Sequence, residues 1–270
     1  MKQINIVIPM AGAGSRFAKE GYTKPKPFIP VRGTGYTVQD NTRQNTTTQD
    51  KTMIECVLKN LSLPNSKFTL IALKAHLEGF KELVEGIRAE FKASFIPIKA
   101  LTQGTACTIL QAQHIIDNDT PLLIANSDQI VELNIKDFID DCFLRELDGS
   151  ILCFEEPNKD TKWSFVRTDE KHLVCEVREK EAISTLASVG IYLFARGSDF
   201  INAANAMIAA NERVNNEFYT APVYNHCIKR GLKIGIYLIK KSQMHGLGTP
   251  QDLAEYESFL KSACHCDRSD

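Results

Sequence analysis

An apolar run from Ile4 to Met10 leads directly into Ala11, Gly12, Ala13, Gly14 and Ser15. Small residues after a strand let the backbone approach a ligand closely, and their amides can cradle phosphate oxygens. Cations follow at once. Arg16 comes next, and Lys24 and Lys26 flank Pro25 ahead of Pro27, on a segment that proline stiffens. Amides and cations together suit a triphosphate. Farther along, Asp128 follows the apolar stretch Pro121 to Asn126, and its carboxylate is a hard oxygen ligand of the kind Mg²⁺ takes.

Spacing sets two common phosphate binders aside. A dinucleotide fingerprint has its third glycine where this chain has Phe17, and a Walker loop continues into Gly-Lys-Ser/Thr, which is absent here. The residues that remain must be positioned by a scaffold. Short β-branched runs alternate with amphipathic segments, the pattern of strands in a mainly parallel sheet joined by crossover helices. The pattern predicts strands over Ile4–Met10, Phe68–Leu73, Ser94–Pro97, Pro121–Asn126, Gly149–Glu155, Ala187–Phe194 and Lys233–Ile239. Helices are expected over Met53–Asn60, Leu77–Lys92, Ala106–Ile116, Ile135–Arg145, Gly197–Asn211, Ala221–Arg230 and Gln251–Ser262. Phe165–Thr168 and Val174–Arg178 flank Asp169 and Glu170 as a hairpin, an antiparallel insertion on the sheet. Ligands of open α/β sheets gather at the carboxyl ends of strands, where Gly12 and Asp128 both fall.

Gly12-Ala13-Gly14-Ser15-Arg16-Phe17, followed by Lys24-Pro25-Lys26-Pro27-Phe28-Ile29-Pro30-Val31, resembles the signature of the sugar-nucleotide pyrophosphorylase family, the sugar-phosphate nucleotidyltransferases. Later segments match in the family's order. Gln103, Gly104, Thr105 and Ala106 resemble its base-recognition turn, Asn126, Ser127 and Asp128 its metal-bearing strand end, and Glu179 with Lys180 its sugar and phosphate contacts. Gly190, Asn216 and Glu217 continue the match on the acceptor side, and Gly248, Thr249 and Pro250 close it.

The resemblance implies an α/β fold of the GT-A type, Rossmann-like and mainly parallel, with a small antiparallel insertion on the acceptor side. Residues 1–250 would form the nucleotidyltransferase domain, with a helix and tail over 251–270. The implied reaction joins a nucleoside triphosphate to a sugar 1-phosphate, releases pyrophosphate, and supplies nucleotide-sugar and polysaccharide biosynthesis. Arg16 would hold the triphosphate and leaving group, Lys26 the α-phosphate, Lys180 the acceptor phosphate, and Asp128 the Mg²⁺. An acceptor phosphate is already ionised near neutral pH, so no general base is needed.

The pattern departs from the family in two places. Many members carry a second metal-binding aspartate two residues before the Gly-Thr pair, where this chain has Gly246; Glu217, a water, or the nucleotide itself would have to serve instead. Trp163 and Ser164 stand where a tyrosine and a glycine are usual, and Trp163 either lines the acceptor pocket or packs in the core. An aromatic face can hold a quaternary ammonium, so cytidylyl transfer to phosphocholine or another phosphorylated non-sugar acceptor is the first alternative. A GT-A glycosyltransferase is the second, although its usual Asp-x-Asp pair would read Asn126, Ser127, Asp128 here. A catalytically silent nucleotide sensor is the third.

Composition frames these readings. The chain has 270 residues, 43% hydrophobic and 24% charged, with a net charge of −1, as expected of a globular enzyme and not of a disordered chain. So balanced a charge gives no broad positive field for nucleic acid or an anionic membrane. No targeting or spanning segment is read, a cytoplasmic location is expected, and a homo-oligomer is compatible with such a surface. Cys56, Cys107, Cys142, Cys153 and Cys227 lie singly in apolar segments and read as reduced core thiols, whereas Cys264 and Cys266 around His265 lack the second pair a zinc site needs. The polar stretch from Arg32 to Lys51 has no apolar period and reads as a long surface loop or lid.

Overall fold

The structure, a computed structural model, describes residues 3–39 and 46–266, with side chains described outside 36–39, 46–49 and 263–266. Residues 40–45 of the polar stretch and the side chains of Cys264, His265 and Cys266 lie outside the described residues. In chain order the first elements are β1 (Ile4–Pro9), α1 (Ser15–Lys19), β2 (Tyr36–Gln39), β3 (Thr46–Gln49), α2 (Met53–Asn60), β4 (Ser66–Leu73), α3 (Lys74–Gly79), α4 (Lys81–Phe91) and β5 (Ser94–Ile98). Next come α5 (Thr105–Ile109), α6 (Gln113–Ile116), β6 (Leu122–Ala125), β7 (Gln129–Val131), α7 (Ile135–Leu144), β8 (Gly149–Glu155), β9 (Ser164–Thr168) and β10 (Val174–Glu179). The chain finishes with β11 (Leu186–Phe194), α8 (Gly197–Ala209), α9 (Val223–Lys229), β12 (Ile234–Ile239), β13 (Met244–Gly246) and α10 (Pro250–Cys266).

Two compact units result. The first comprises Met1–Gly12, Ser62–Asn126 and Glu132–Met244. Its nine-stranded sheet has the order β10-β9-β11-β6-β1-β4-β5, with β8 on β11 and β12 on β8. The stretch β6-β1-β4-β5 is parallel, as is β8 with β12. This is the α/β sheet expected, and the antiparallel β9–β10 hairpin is where the sequence puts it. Asp169 closes that hairpin by accepting the amides of Lys171 and Leu173, both at 2.9 Å. Antiparallel pairing reaches farther than expected, because β11 also runs against β6 and β8.

Central strands of such a sheet are covered on both faces, which is why β1 reads as a mainly apolar run: Ile4, Ile6, Val7 and Ile8 are all buried, and so is Asn5 among them. Val7, Ala11, Ala106 and Ile109 share one core with Phe194, Phe200 and Tyr224. Each large side chain so buried contributes about 1.5–3 kcal/mol. Tyr224 stacks on Phe194 at 4.5 Å, and its hydroxyl donates to the Leu193 carbonyl at 2.9 Å, so its polar tip is satisfied. Two expected helices are broken. The Leu77–Lys92 helix divides at Phe80 (φ −131°), just after Gly79, and Ala106–Ile116 passes through a 3₁₀ turn at Leu110–Ala112.

The second unit comprises Ala13–Leu61, Ser127–Val131 and His245–Asp270. Part of the polar stretch read as a loop is a two-stranded antiparallel ribbon, β2 on β3, with Tyr36 opposite Gln49 and Gln39 opposite Thr46. Threonine favours extended backbone without adding any apolar period, so a hydrophobicity pattern does not register it. The base of the ribbon is tied down: Val31 donates to the Lys51 carbonyl at 2.8 Å, and the Arg32 amide to Glu257 of α10 at 2.9 Å. Helix α2 begins on a capping box in which Glu55 accepts the Thr52 amide at 2.7 Å. It ends at Asn60, whose amide exchanges two hydrogen bonds with the Val131 backbone, at 2.8 and 2.9 Å, and so holds β7, which pairs with β13.

Among the described residues no helix is long and apolar enough to cross a membrane. Cys56, Cys142, Cys153 and Cys227 are buried and free, as expected, while Cys107 is partly buried. Burial pushes the Cys56 thiol up to about 11 and those of Cys142 and Cys227 up to about 12, so all three stay protonated at neutral pH.

Candidate active site

In the second unit, Gly14 takes a left-handed conformation (φ 61°) that turns the chain into α1, and Phe17 anchors that helix in the core against Tyr22. The turn leaves Ala13 and Ser15 exposed at the surface, with Arg16 beside them. A Cβ on Gly14 would lie 3.4 Å from that of Lys26, so the glycine lets the Lys-Pro-Lys-Pro segment pass close by. Lys26 Nζ donates to Asp128 Oδ2 at 2.5 Å, an ion pair whose side chains are 22% and 16% exposed. Asp128 stands between β6 and β7, and its carbonyl accepts the Leu247 amide at 2.8 Å. That bond brings the Gly248 backbone against the carboxylate. A Cβ there would sit 3.3 Å from Asp128 Oδ2, 3.6 Å from Asp252 Oδ2 and 4.0 Å from Arg16 Nη1. Arg16, Lys26 and Asp128, singled out separately in the sequence, therefore meet at one point. Asp128 does not cap α7, whose cap is Asn134, accepting the Lys136 amide at 3.2 Å.

The first unit holds the other residues. Ala11 is buried at the end of β1, and Gly12 is exposed there. Gln103, Gly104 and Thr105 form a turn clipped to a distant strand of chain: Phe218 donates to the Gln103 carbonyl at 2.8 Å, and the Ala106 amide to the Phe218 carbonyl at 3.0 Å. Thr105 Oγ1 accepts the Thr220 amide at 3.1 Å, and Arg213 reaches Gln103 Oε1 at 2.7 Å. Asn215 (φ 49°) and Asn216 (φ 64°) supply the two left-handed residues of a tight turn in which Val214 and Glu217 exchange backbone hydrogen bonds. Asn216 and Glu217 are thereby exposed next to the buried Phe218.

Glu179 and Lys180 end β10. Glu179 accepts a short hydrogen bond from Ser164, and burial holds its carboxyl above the usual carboxylate range, against the lowering effect of that bond. Lys180 donates to the Tyr219 hydroxyl at 2.7 Å, and this bond raises its ammonium above its ordinary range. Trp163 is half-buried, edge-on to Phe154 at 5.2 Å, with the Lys162 ammonium 5.0 Å from its ring centroid. The Lys162 ammonium thus lies over the Trp163 ring. Gly190 (φ 91°) interrupts β11 where a Cβ would run into the Asn126 amide, so its geometry makes room for that side chain. A cavity of about 950 Å³ borders Glu179 and Lys180, but its arginines and lysines are largely paired, Arg167 and Arg178 with Glu176 and Lys229 with Glu212.

Glu179 offers a test of its own environment. With its folded-state pKa above the ordinary 4.5, the folded chain bears a penalty for ionising it that begins as pH rises through that value. Glu179→Gln keeps an acceptor for Ser164 and removes the charge. The variant is expected to melt higher than the parent at neutral pH and equally at about pH 4, in thermal scans at both.

The profile of the nucleotidyl transferase family matches residues 7–263. The chain belongs to that family. Among relatives of this nucleotidyl transferase, a glucose-1-phosphate adenylyltransferase from Thermotoga sp. (strain RQ2) is 36% identical over 97 residues, which cover 34% of this chain and 23% of that protein. The chain thus spans only about a quarter of that curated relative's length. A nucleoside-diphosphate-sugar pyrophosphorylase from Vibrio cholerae RC9 superposes with a TM-score of 0.71 and 26% identity, over 95% of this chain and 99% of that one. A UDP-glucose pyrophosphorylase complexed with UDP-glucose superposes with a TM-score of 0.72 over 97% and 100% of the two chains, and at 18% identity it speaks for the fold alone. Membership in the nucleotidyl transferases separates the chain from the glycosyltransferases that share the sheet.

One acidic side chain of this nucleotidyl transferase escapes sequence reasoning. Asp252 lies in the first turn of α10, where its amide donates to Thr249 Oγ1 at 3.1 Å, and its carboxylate faces Gly246 and Gly248. Its only signal in the sequence is an acid placed just after Gly-Thr-Pro, at the start of a helix.

Proposed function

We propose that the chain transfers a nucleotidyl group from a nucleoside triphosphate to a sugar 1-phosphate, giving a nucleotide sugar and pyrophosphate. The meeting of Arg16, Lys26 and Asp128 around Gly248 carries this reading, because it puts two cations and a hard carboxylate at one point. The names of the relatives supply the acceptor class: glucose-1-phosphate adenylyltransferase and nucleoside-diphosphate-sugar pyrophosphorylase.

In this reaction an acceptor phosphate oxygen forms a bond to the α-phosphorus, and the bond from that phosphorus to the bridging oxygen breaks. The electron pair leaves with pyrophosphate. No proton need move, so the protein contributes position and charge. Lys26 neutralises the α-phosphate, Arg16 the leaving pyrophosphate, and Lys180, held by Tyr219, the acceptor phosphate. Asp128 offers oxygen ligands that fit Mg²⁺, which when bound would offset the negative charge of the phosphates.

Pyrophosphate release, measured with a panel of triphosphates against sugar 1-phosphates, phosphocholine and no acceptor, tests the reading. Release that depends on a sugar 1-phosphate is expected. Release with no pair, or only with phosphocholine, would sink it. Gly12 gives a second check, since its φ is ordinary and a Cβ there would meet nothing within 4 Å. The fold does not require glycine at this position. Gly12→Val is expected to leave the melting temperature unchanged while raising the KM for the triphosphate about tenfold or more, by closing the backbone approach.

A further inference from the structure

Gly246 stands where the resemblance to the sugar-phosphate nucleotidyltransferases implies a second metal-binding aspartate, yet the space such a side chain would enter is already furnished. A Cβ built on Gly246 would lie 3.9 Å from Asp252 Cγ and 3.9 Å from Gln129 Oε1. Gln129 is 8% exposed, and its Oε1 has no hydrogen-bond partner among the described residues. Buried amide oxygens are nearly always satisfied, so an orphan that borders the same space as a carboxylate leaves room there for an electropositive partner. Two residues on, Asp128 Oδ2 and Asp252 Oδ2 both approach Gly248, at 3.3 and 3.6 Å from its would-be Cβ. Lys26 engages that same Oδ2, so a bound cation would share Asp128 with the lysine or displace it. The donor set is therefore carboxylate, carboxylate and amide oxygen, all hard ligands, with no sulfur or imidazole among them.

We infer that Asp252, with Gln129 Oε1 beside it, joins Asp128 in binding a divalent cation, so that the carboxylate absent from position 246 is supplied by the first turn of α10. The inference rests on the nucleotidyl-transfer reading for the identity of the ion, and on the geometry for the ligands. Local reasons place Asp252 there. The Thr249 hydroxyl takes its amide at 3.1 Å, fixing the first turn, and an acid in a first turn is stabilised by the unpaired amides of the helix start. Mg²⁺ keeps several of its waters, so two carboxylates and one amide oxygen are an adequate protein share.

The test is a Mn²⁺ titration of the full chain without nucleotide, with free Mn²⁺ read by electron paramagnetic resonance. The parent is expected to show one saturable site. Asp252→Asn should weaken it about tenfold or more, Gln129→Leu should weaken it to a smaller extent, and the Asp252→Asn, Gly246→Asp double variant should recover binding. Circular dichroism and thermal melts of each variant report folding. Affinity within about twofold of the parent in Asp252→Asn, no saturable site in the parent, or a folded double variant that fails to recover binding would each overturn the assignment. Mn²⁺ binding that falls in Asp252→Asn while no substrate pair releases pyrophosphate would instead leave the site standing and remove the proposed reaction.

Discussion

With Lys26 replaced by alanine, pyrophosphate release is expected to fall at least about a thousandfold in kcat while the chain stays folded. Among the described residues Lys26 is the cation bonded directly to Asp128, at 2.5 Å, and the proposed reaction needs a positive charge where charge builds on the α-phosphate. Its loss leaves Asp128 unpaired, but at 16% side-chain exposure water and Arg16 take part of the burden, so the stability cost should be about 1–2 kcal/mol. Arg16→Ala removes the second cation near Gly248 and is expected to act in the same direction. Steady-state kinetics beside a thermal melt separate the two effects. Turnover within about tenfold of the parent in a folded Lys26→Ala variant would show that the charge assignment is wrong.

Gly104→Ala is expected to do the opposite, damaging the fold first. Gly104 has φ 118° and ψ 174°, a region that essentially only glycine occupies. A Cβ there would lie 2.5 Å from the Phe218 carbonyl oxygen and 2.6 Å from its nitrogen. Both atoms are backbone, and both are bonded to the turn that Gly104 interrupts, through Gln103 and Ala106. The methyl group cannot be accommodated without opening that clip. Strain and two weakened hydrogen bonds together should cost about 3 kcal/mol, or roughly 6–12 °C in melting temperature. An unchanged melt would mean that the 103–106 turn is held by something other than Phe218. Gly12 and Gly104 thus look alike in a sequence and differ in kind, one free to be replaced as far as the fold is concerned, the other not.

What the sequence reveals follows the range of the interactions involved. β1 and its glycine turn are legible because burial on both faces writes a run that is apolar but for Asn5, and the following cations are chain neighbours. The α/β sheet is legible for the same reason, repeated along the chain. The β2–β3 ribbon is not, because its threonines satisfy backbone geometry without marking a buried face. The break at Phe80 is not, since the apolar period continues across it while the backbone does not. Asp252 is the instructive case. A search for a replacement carboxylate settles naturally on Glu217, which already belongs to the family's ordered motifs, whereas the side chain facing Gly246 comes from a helix whose register no local pattern fixes.

The contacts that build both halves of this chemistry close very long loops. Lys26 and Asp128 are 102 residues apart, Thr105 and Thr220 are 115, and the Arg32 tie to Glu257 spans 225. Closing such loops costs chain entropy before any contact rewards it, which slows folding. On a ribosome, then, the early glycine turn emerges long before Asp128, and the Gln103–Thr105 turn before Phe218. The geometry on which the proposed reaction rests is therefore assembled late, and it is complete only once α10 is made.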